Sequence, residues 1–113
     1  MDITQRKVEG VTVVQLSGRL DSAVAGKVMD QLNQIVTSGS TRLVINLRDV
    51  PYISSAGLRS FLVASKLAQS SGGEIRLCEA GTLVERILSE SGFSNLIRLD
   101  GDEGMALAAL RQR

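Results

Sequence analysis

The run Leu43-Val44-Ile45-Asn46-Leu47, and the handover that follows it, constrain the fold more than any other stretch of the chain. Four apolar residues with one polar interruption suit a strand in the middle of a sheet. Asp49-Val50-Pro51-Tyr52 then turns the chain, and Ile53-Ser54-Ser55-Ala56-Gly57-Leu58 leads into a helix. In that helix Leu58, Phe61, Leu62 and Ser65 share one face, with Ala64 and Ala68 beside it. Two adjacent serines therefore sit at a helix N-terminus, where unpaired N–H groups and the helix dipole favour negative charge.

The same alternation recurs along the chain. Ile3-Thr4-Gln5 with Val8 reads as a weak first strand, Glu9-Gly10 as a turn, and Val11–Leu16 as a stronger β-branched strand, so the two form an antiparallel hairpin. Asp21 or Ser22 suits a helix N-cap, and Val24, Val28, Leu32, Ile35 and Val36 make an apolar stripe ending near Ser38-Gly39-Ser40. The second helix starts at Ser54 or Ser55 and stops at Ser71-Gly72-Gly73, after which Glu74–Cys78 is a strand. Thr82 and Glu85 have capping-box spacing ahead of a third helix carrying Leu83, Val84, Ile87 and Leu88, which Ser91-Gly92 closes. Leu96–Leu99 is expected to be a last short strand, and Asp102 to cap a terminal helix through Met105, Ala106, Ala109 and Leu110.

The sum is an α/β fold: a mixed, mostly parallel β-sheet of about five strands, flanked by about four helices, with an N-terminal antiparallel hairpin. At 113 residues the chain is expected to be a single domain, 1–113, burying roughly 65% of its unfolded surface. Only one Tyr, two Phe and no Trp are present, so the core must be aliphatic. Thirteen basic and twelve acidic residues are interspersed without a basic stripe, which argues against direct nucleic-acid binding. No apolar run is long enough to span a membrane, the start lacks a signal-peptide pattern, and Cys78 is alone; together these suggest a cytoplasmic protein. Cys78 itself reads as a small buried hydrophobe.

The chain has no histidine. A Ser–His–Asp triad, a histidine base and the usual zinc-water sites are thereby excluded. No glycine-rich phosphate loop occurs either, so no cofactor, metal or catalytic residue is expected, and an enzyme or nucleotide binder is the weakest of the readings. Of the two serines, Ser54 is expected to cap the second helix through the N–H of Ala56 or Gly57, which leaves the Ser55 hydroxyl free at the first helical position. Gly57 costs about 1 kcal/mol relative to Ala inside a helix, so it implies a close approach, read here as room for a partner or a phosphate. Arg59, one turn on, could face that partner, while Arg48 and Asp49 read as solvated charges. Asp21 ends a neighbouring strand and would share the same sheet edge, where open α/β sheets place ligands, or would simply cap its helix. Asn46 is expected to be a buried amide that supports the serine site from behind.

As a whole the sequence resembles the STAS domain family, and specifically the small bacterial anti-sigma factor antagonists. The resemblance is carried by Leu16-Ser17-Gly18-Arg19-Leu20-Asp21, by Leu43–Leu47, and by Tyr52-Ile53-Ser54-Ser55-Ala56-Gly57-Leu58. Val84-Glu85-Arg86-Ile87-Leu88 with Ser91-Gly92-Phe93 matches the family's third helix and the turn after it. The family's junction reads Asp-Ser-Ser/Thr-Gly-Leu; aligned on Gly57-Leu58, its phosphorylated serine is Ser55, Ser54 stands at the aspartate and Ala56 at the second hydroxyl. The resemblance implies a partner switch. Unphosphorylated, the domain would bind an anti-sigma factor that is also a serine kinase and so release a sigma factor. Phosphorylation of Ser55 would end that binding, and a serine phosphatase would restore it. Asp21, Ser54, Ser55, Ala56, Gly57, Leu58 and Arg59 would form the partner surface. The alternative from a different class is a non-switching STAS subunit of a signalling scaffold or of a transporter complex. Edge strands and apolar helix faces could also support a weak homodimer.

Overall fold

The computed structural model describes residues 1–111, so the last two residues of the expected 1–113 domain lie outside the described residues. Strands β1 (Asp2–Val8), β2 (Val11–Ser17), β3 (Arg42–Asp49), β4 (Glu74–Cys78) and β5 (Arg98–Asp100) form a sheet in the order β1-β2-β3-β4-β5. β1 and β2 are antiparallel, and each later neighbour pairs in parallel. The expected mixed sheet and hairpin are both present. The hairpin closes through Glu9 and Gly10, both at positive φ (52° and 84°), the tight turn whose twist matches paired strands. The first strand is longer than its weak pattern suggested, because its residues pair one to one with β2 from Asp2 to Val8.

Helices α1 (Ser22–Thr37), α2 (Ser55–Ser70), α3 (Thr82–Glu90) and α4 (Glu103–Arg111) complete the fold. Side-chain alternation sorts them onto two faces. Val14 and Leu16 of β2, Leu43, Ile45 and Leu47 of β3, and Ile75 and Leu77 of β4 pack with Val28, Leu32 and Val36 of α1, Phe61, Ala64 and Ala68 of α2, and Val84 and Leu88 of α3. The intervening residues Val11, Val13, Val44 and Cys78 face Ala106, Leu107 and Leu110 of α4. Three helices thus cover one face and α4 covers the other. β3 is a near-continuous apolar run because both of its faces are covered.

Two local expectations need correction. α3 is not capped by Thr82: its N-cap is Gly81, without a side-chain hydrogen bond, and Thr82 is already helical. The spacing to Glu85 matched a capping box, but Thr82 sits one position too late in the turn to act as the cap. The final strand begins at Arg98 rather than Leu96. Phe93 is buried and starts a 3-10 turn (Phe93–Asn95), and Leu96 and Ile97 both donate their N–H to its carbonyl, at 2.9 and 3.2 Å. Pairing with β4 starts only after those bonds are made, at Arg76 opposite Arg98. The Asp102 cap of α4 is present, its Oδ1 accepting from Met105 N–H at 2.8 Å.

Candidate functional site

β2 and β3 keep pairing past their regular ladder, through a register shift between Gln15 and Ser17, and this delivers two helix starts side by side. Gly18 N–H donates to the Asp49 carbonyl (3.0 Å), Leu20 N–H to the Tyr52 carbonyl (2.9 Å), and Ser54 N–H to the Leu20 carbonyl (2.9 Å). Leu20 and Ile53 form a parallel bridge, and both side chains are buried. One residue after Leu20, Asp21 caps α1, its Oδ1 accepting from the N–H of Ala23 (3.0 Å) and Val24 (3.3 Å). One residue after Ile53, Ser54 caps α2, its Oγ accepting from Gly57 N–H at 3.2 Å. The juxtaposition of Asp21 with the serines, expected from neighbouring strand ends, is therefore built into the backbone pairing.

Ser55 is the first residue of α2 and is exposed. Arg59, one turn further, is exposed as well, while Asp21, Ser54, Ala56 and Leu58 are half-buried. Gly57 differs from expectation. It is buried, and a Cβ there would stand 2.7 Å from Leu20 Cγ and 3.0 Å from both the Leu20 carbonyl oxygen and Ile53 Cγ2. The close approach it permits is internal, between α2 and the Leu20–Ile53 bridge, and not an opening for a partner.

Asn46 is also corrected. Although only 5% exposed, it does not back the serines. It points to the α4 face, where Nδ2 donates to Glu103 Oε1 (3.1 Å) and Oδ1 accepts from Arg48 N–H (2.9 Å). Alternation along β3 decides this, since Ile45 and Leu47 take the face that α2 covers. Around it lies a polar hollow lined by Arg6, Gln15, Arg48, Asp49, Glu79 and Glu103. Arg6 bonds Glu103 there, and Glu79, itself at positive φ (58°), accepts from Glu103 N–H at 2.9 Å. Burial opposes ionisation of Glu103, but the hydrogen bonds from Arg6 and Asn46 and the charge of Arg6 outweigh it and hold its carboxyl below the ordinary range. Cys78 is fully buried as expected, and burial first, then the charges of Glu79, Glu103, Asp100 and Asp102, push its thiol up to about 12.

One contact escaped sequence reasoning. The Arg19 guanidinium lies over the Tyr52 ring, 4.6 Å from its centre, and joins the segment before α1 to the segment before α2. The two residues are far apart in sequence, and no periodicity links them.

Residues 2–106 match the STAS domain. The chain belongs to the STAS domain family. It is 33% identical over 111 residues to BtrV of Bordetella bronchiseptica, a protein named as a candidate anti-sigma factor antagonist, covering 98% of this chain and 96% of that one. It is 29% identical over 111 residues to the anti-sigma F factor antagonist of Paenibacillus polymyxa, covering 97% and 95%. The fold is similar to the crystal structure of a candidate anti-sigma factor antagonist from Thermotoga maritima, with a TM-score of 0.91 at 22% identity, covering 96% and 94%. Among the described residues no helix is long and apolar enough to cross a membrane.

Proposed function

We propose that this STAS domain is an anti-sigma factor antagonist that works as a single-domain, non-enzymatic, cytoplasmic partner switch, controlled by phosphorylation of Ser55. The observation that carries the reading is the exposed Ser55 hydroxyl at the start of α2, beside the start of α1, with the neighbouring Ser54 hydroxyl already engaged as the cap. Full-length relatives named as anti-sigma factor antagonists support it.

Unphosphorylated, the surface of Asp21, Ser54, Ser55, Ala56, Leu58 and Arg59 binds an anti-sigma factor with serine kinase activity, which releases its sigma factor. Gly57 contributes from beneath, by letting α2 sit close to Leu20. A phosphate on Ser55 adds about −1.5 to −2 charges at neutral pH. Within the domain the helix N-terminus tolerates it, by roughly 0.3–1 kcal/mol in its favour. In a packed interface an unpaired, desolvated charge costs several times that. The interface term wins, so binding is lost while the fold persists, and a serine phosphatase resets the switch.

Titration of an anti-sigma factor with Ser55→Asp and Ser55→Ala tests this, with circular dichroism as the check on folding. Ser55→Asp is expected to lose at least about tenfold in affinity and Ser55→Ala to bind constitutively. Unchanged affinity of a folded Ser55→Asp protein would refute the switch.

Ser54 at the position of the family aspartate favours a second reading, a non-switching STAS subunit of a scaffold or transporter complex. Incubation with the kinase and ATP separates the two: one phosphate on Ser55 supports switching, and none supports the scaffold role.

A further inference from the structure

β1 stands at the end of the strand order, and its free edge is bordered by a cleft of about 460 Å³ between β1 and α1. Ile3 and Gln5 line the cleft from the strand, and Gln31, Gln34 and Ile35 line it from the helix. Natural edge strands are commonly blunted by charge, proline or a bulge. β1 carries Asp2, Arg6 and Lys7, but has no proline and keeps a one-to-one register with β2 over its seven residues, so its edge selects for a partner of matching charge. We propose that β1 is a self-association surface, on which the β1 strand of a second copy of this chain adds antiparallel about a two-fold axis through Thr4. This is independent of the Ser55 reading.

The register follows from pairing geometry. Closure of the two-residue turn makes Val8 and Val11 a hydrogen-bonded pair. Alternation then turns the N–H and C=O of Thr4 and Arg6 towards β2, and those of Ile3, Gln5 and Lys7 outwards. Antiparallel self-pairing must match outward residues with outward residues, so only every second register is allowed. With the axis at Gln5, Asp2 meets Val8 and Thr4 meets Arg6; with the axis at Arg6, two arginines meet. With the axis at Thr4, each Ile3 faces Gln5, the threonines pair with one another, and each Asp2 faces the copy's Arg6. The exposed Arg6 guanidinium bonds Glu103 through one terminal nitrogen and keeps further N–H groups for a second carboxylate. The strand that enters the cleft then presents Ile3 and Gln5 to a lining in which Gln31, Gln34, Ile35 and Ser38 come from α1 and the residue after it. The edge is self-complementary in charge, through Asp2 and Arg6, and in its central threonine pair.

Sedimentation or light scattering across a concentration series is expected to show the mass rising from one chain to two. Thr4→Cys should form an intermolecular disulfide on mild oxidation, because non-hydrogen-bonded pairs on the axis approach within bridging distance, whereas Lys7→Cys should cross-link poorly. Cys78 is buried and does not compete. Gln5→Pro removes only an outward N–H and should abolish the dimer. Asp2→Lys, which leaves every bond of the hairpin in place, should weaken it about tenfold through its two symmetric pairs. A chain that stays monomeric at all concentrations overturns the proposal. So does a dimer that is indifferent to Asp2→Lys and cross-links equally well at residues 4 and 7.

Discussion

Gly57 shows how one residue can be read correctly for its need and wrongly for its reason. Its position early in α2 signals that no side chain fits, and the structure supplies the obstacle: Leu20, held by the hydrogen bond from Ser54 N–H to its carbonyl. Alanine is the better helix former by about 1 kcal/mol, so at an open position Gly→Ala would stabilise. Here the new methyl meets a backbone oxygen that cannot retreat without breaking the bridge between the two helix starts, and overpacking of this kind costs about 1–3 kcal/mol. Gly57→Ala is therefore expected to lower stability by roughly 1 kcal/mol, read as a reduced urea midpoint; a raised midpoint would show that α2 can slide away from Leu20. The Ser54 cap was legible because capping is local, decided within three residues. The Arg19–Tyr52 contact was not, because it depends on β2 and β3 being neighbours.

At the scale of the element, α4 is held at its start by groups from two strands, from the residue that follows β4, and from the loop before it. Asp102 caps it from the adjacent residue, Glu79 accepts its first N–H, and Asn46 and Arg6 both bond Glu103. Glu103 has a folded pKa below its ordinary 4.5, so the folded state favours its charged form. The contribution is fully present above the unfolded value and is lost as pH falls through the folded one. Melting temperature measured from pH 7 downwards should therefore fall less steeply at and below about pH 4.5 for Glu103→Gln than for the wild type. Parallel pH profiles would show that the carboxylate adds nothing. Sequence disclosed the Asp102 cap and concealed the rest of this cluster. Whether Asn46 faces α2 or α4 is fixed by strand alternation, and a single-residue change of register would reverse it.

For the whole molecule, the sheet divides two unequal hydrophobic layers, and among the described residues α4 is the helix that closes the smaller one over Val11, Val13, Val44 and Cys78. Leu110→Ala should cost about 2–5 kcal/mol and loosen that layer. Cys78 reports it directly: buried and with its thiol pushed up to about 12, it should react very slowly with thiol reagents in the native protein and markedly faster in Leu110→Ala. Lost stability without faster labelling would mean that α4 is not the cover. The sequence by itself determined the order of elements, the apolar central strand, the hairpin and the two helix starts beside Asp21 and Ser54, since periodicity and capping are properties of neighbouring residues. Only the tertiary structure decided which face each side chain joined, moving Asn46 to α4, turning Gly57 inwards and bringing Arg19 over Tyr52. These depend on register and packing between segments distant in the chain, and local sequence does not encode that distance.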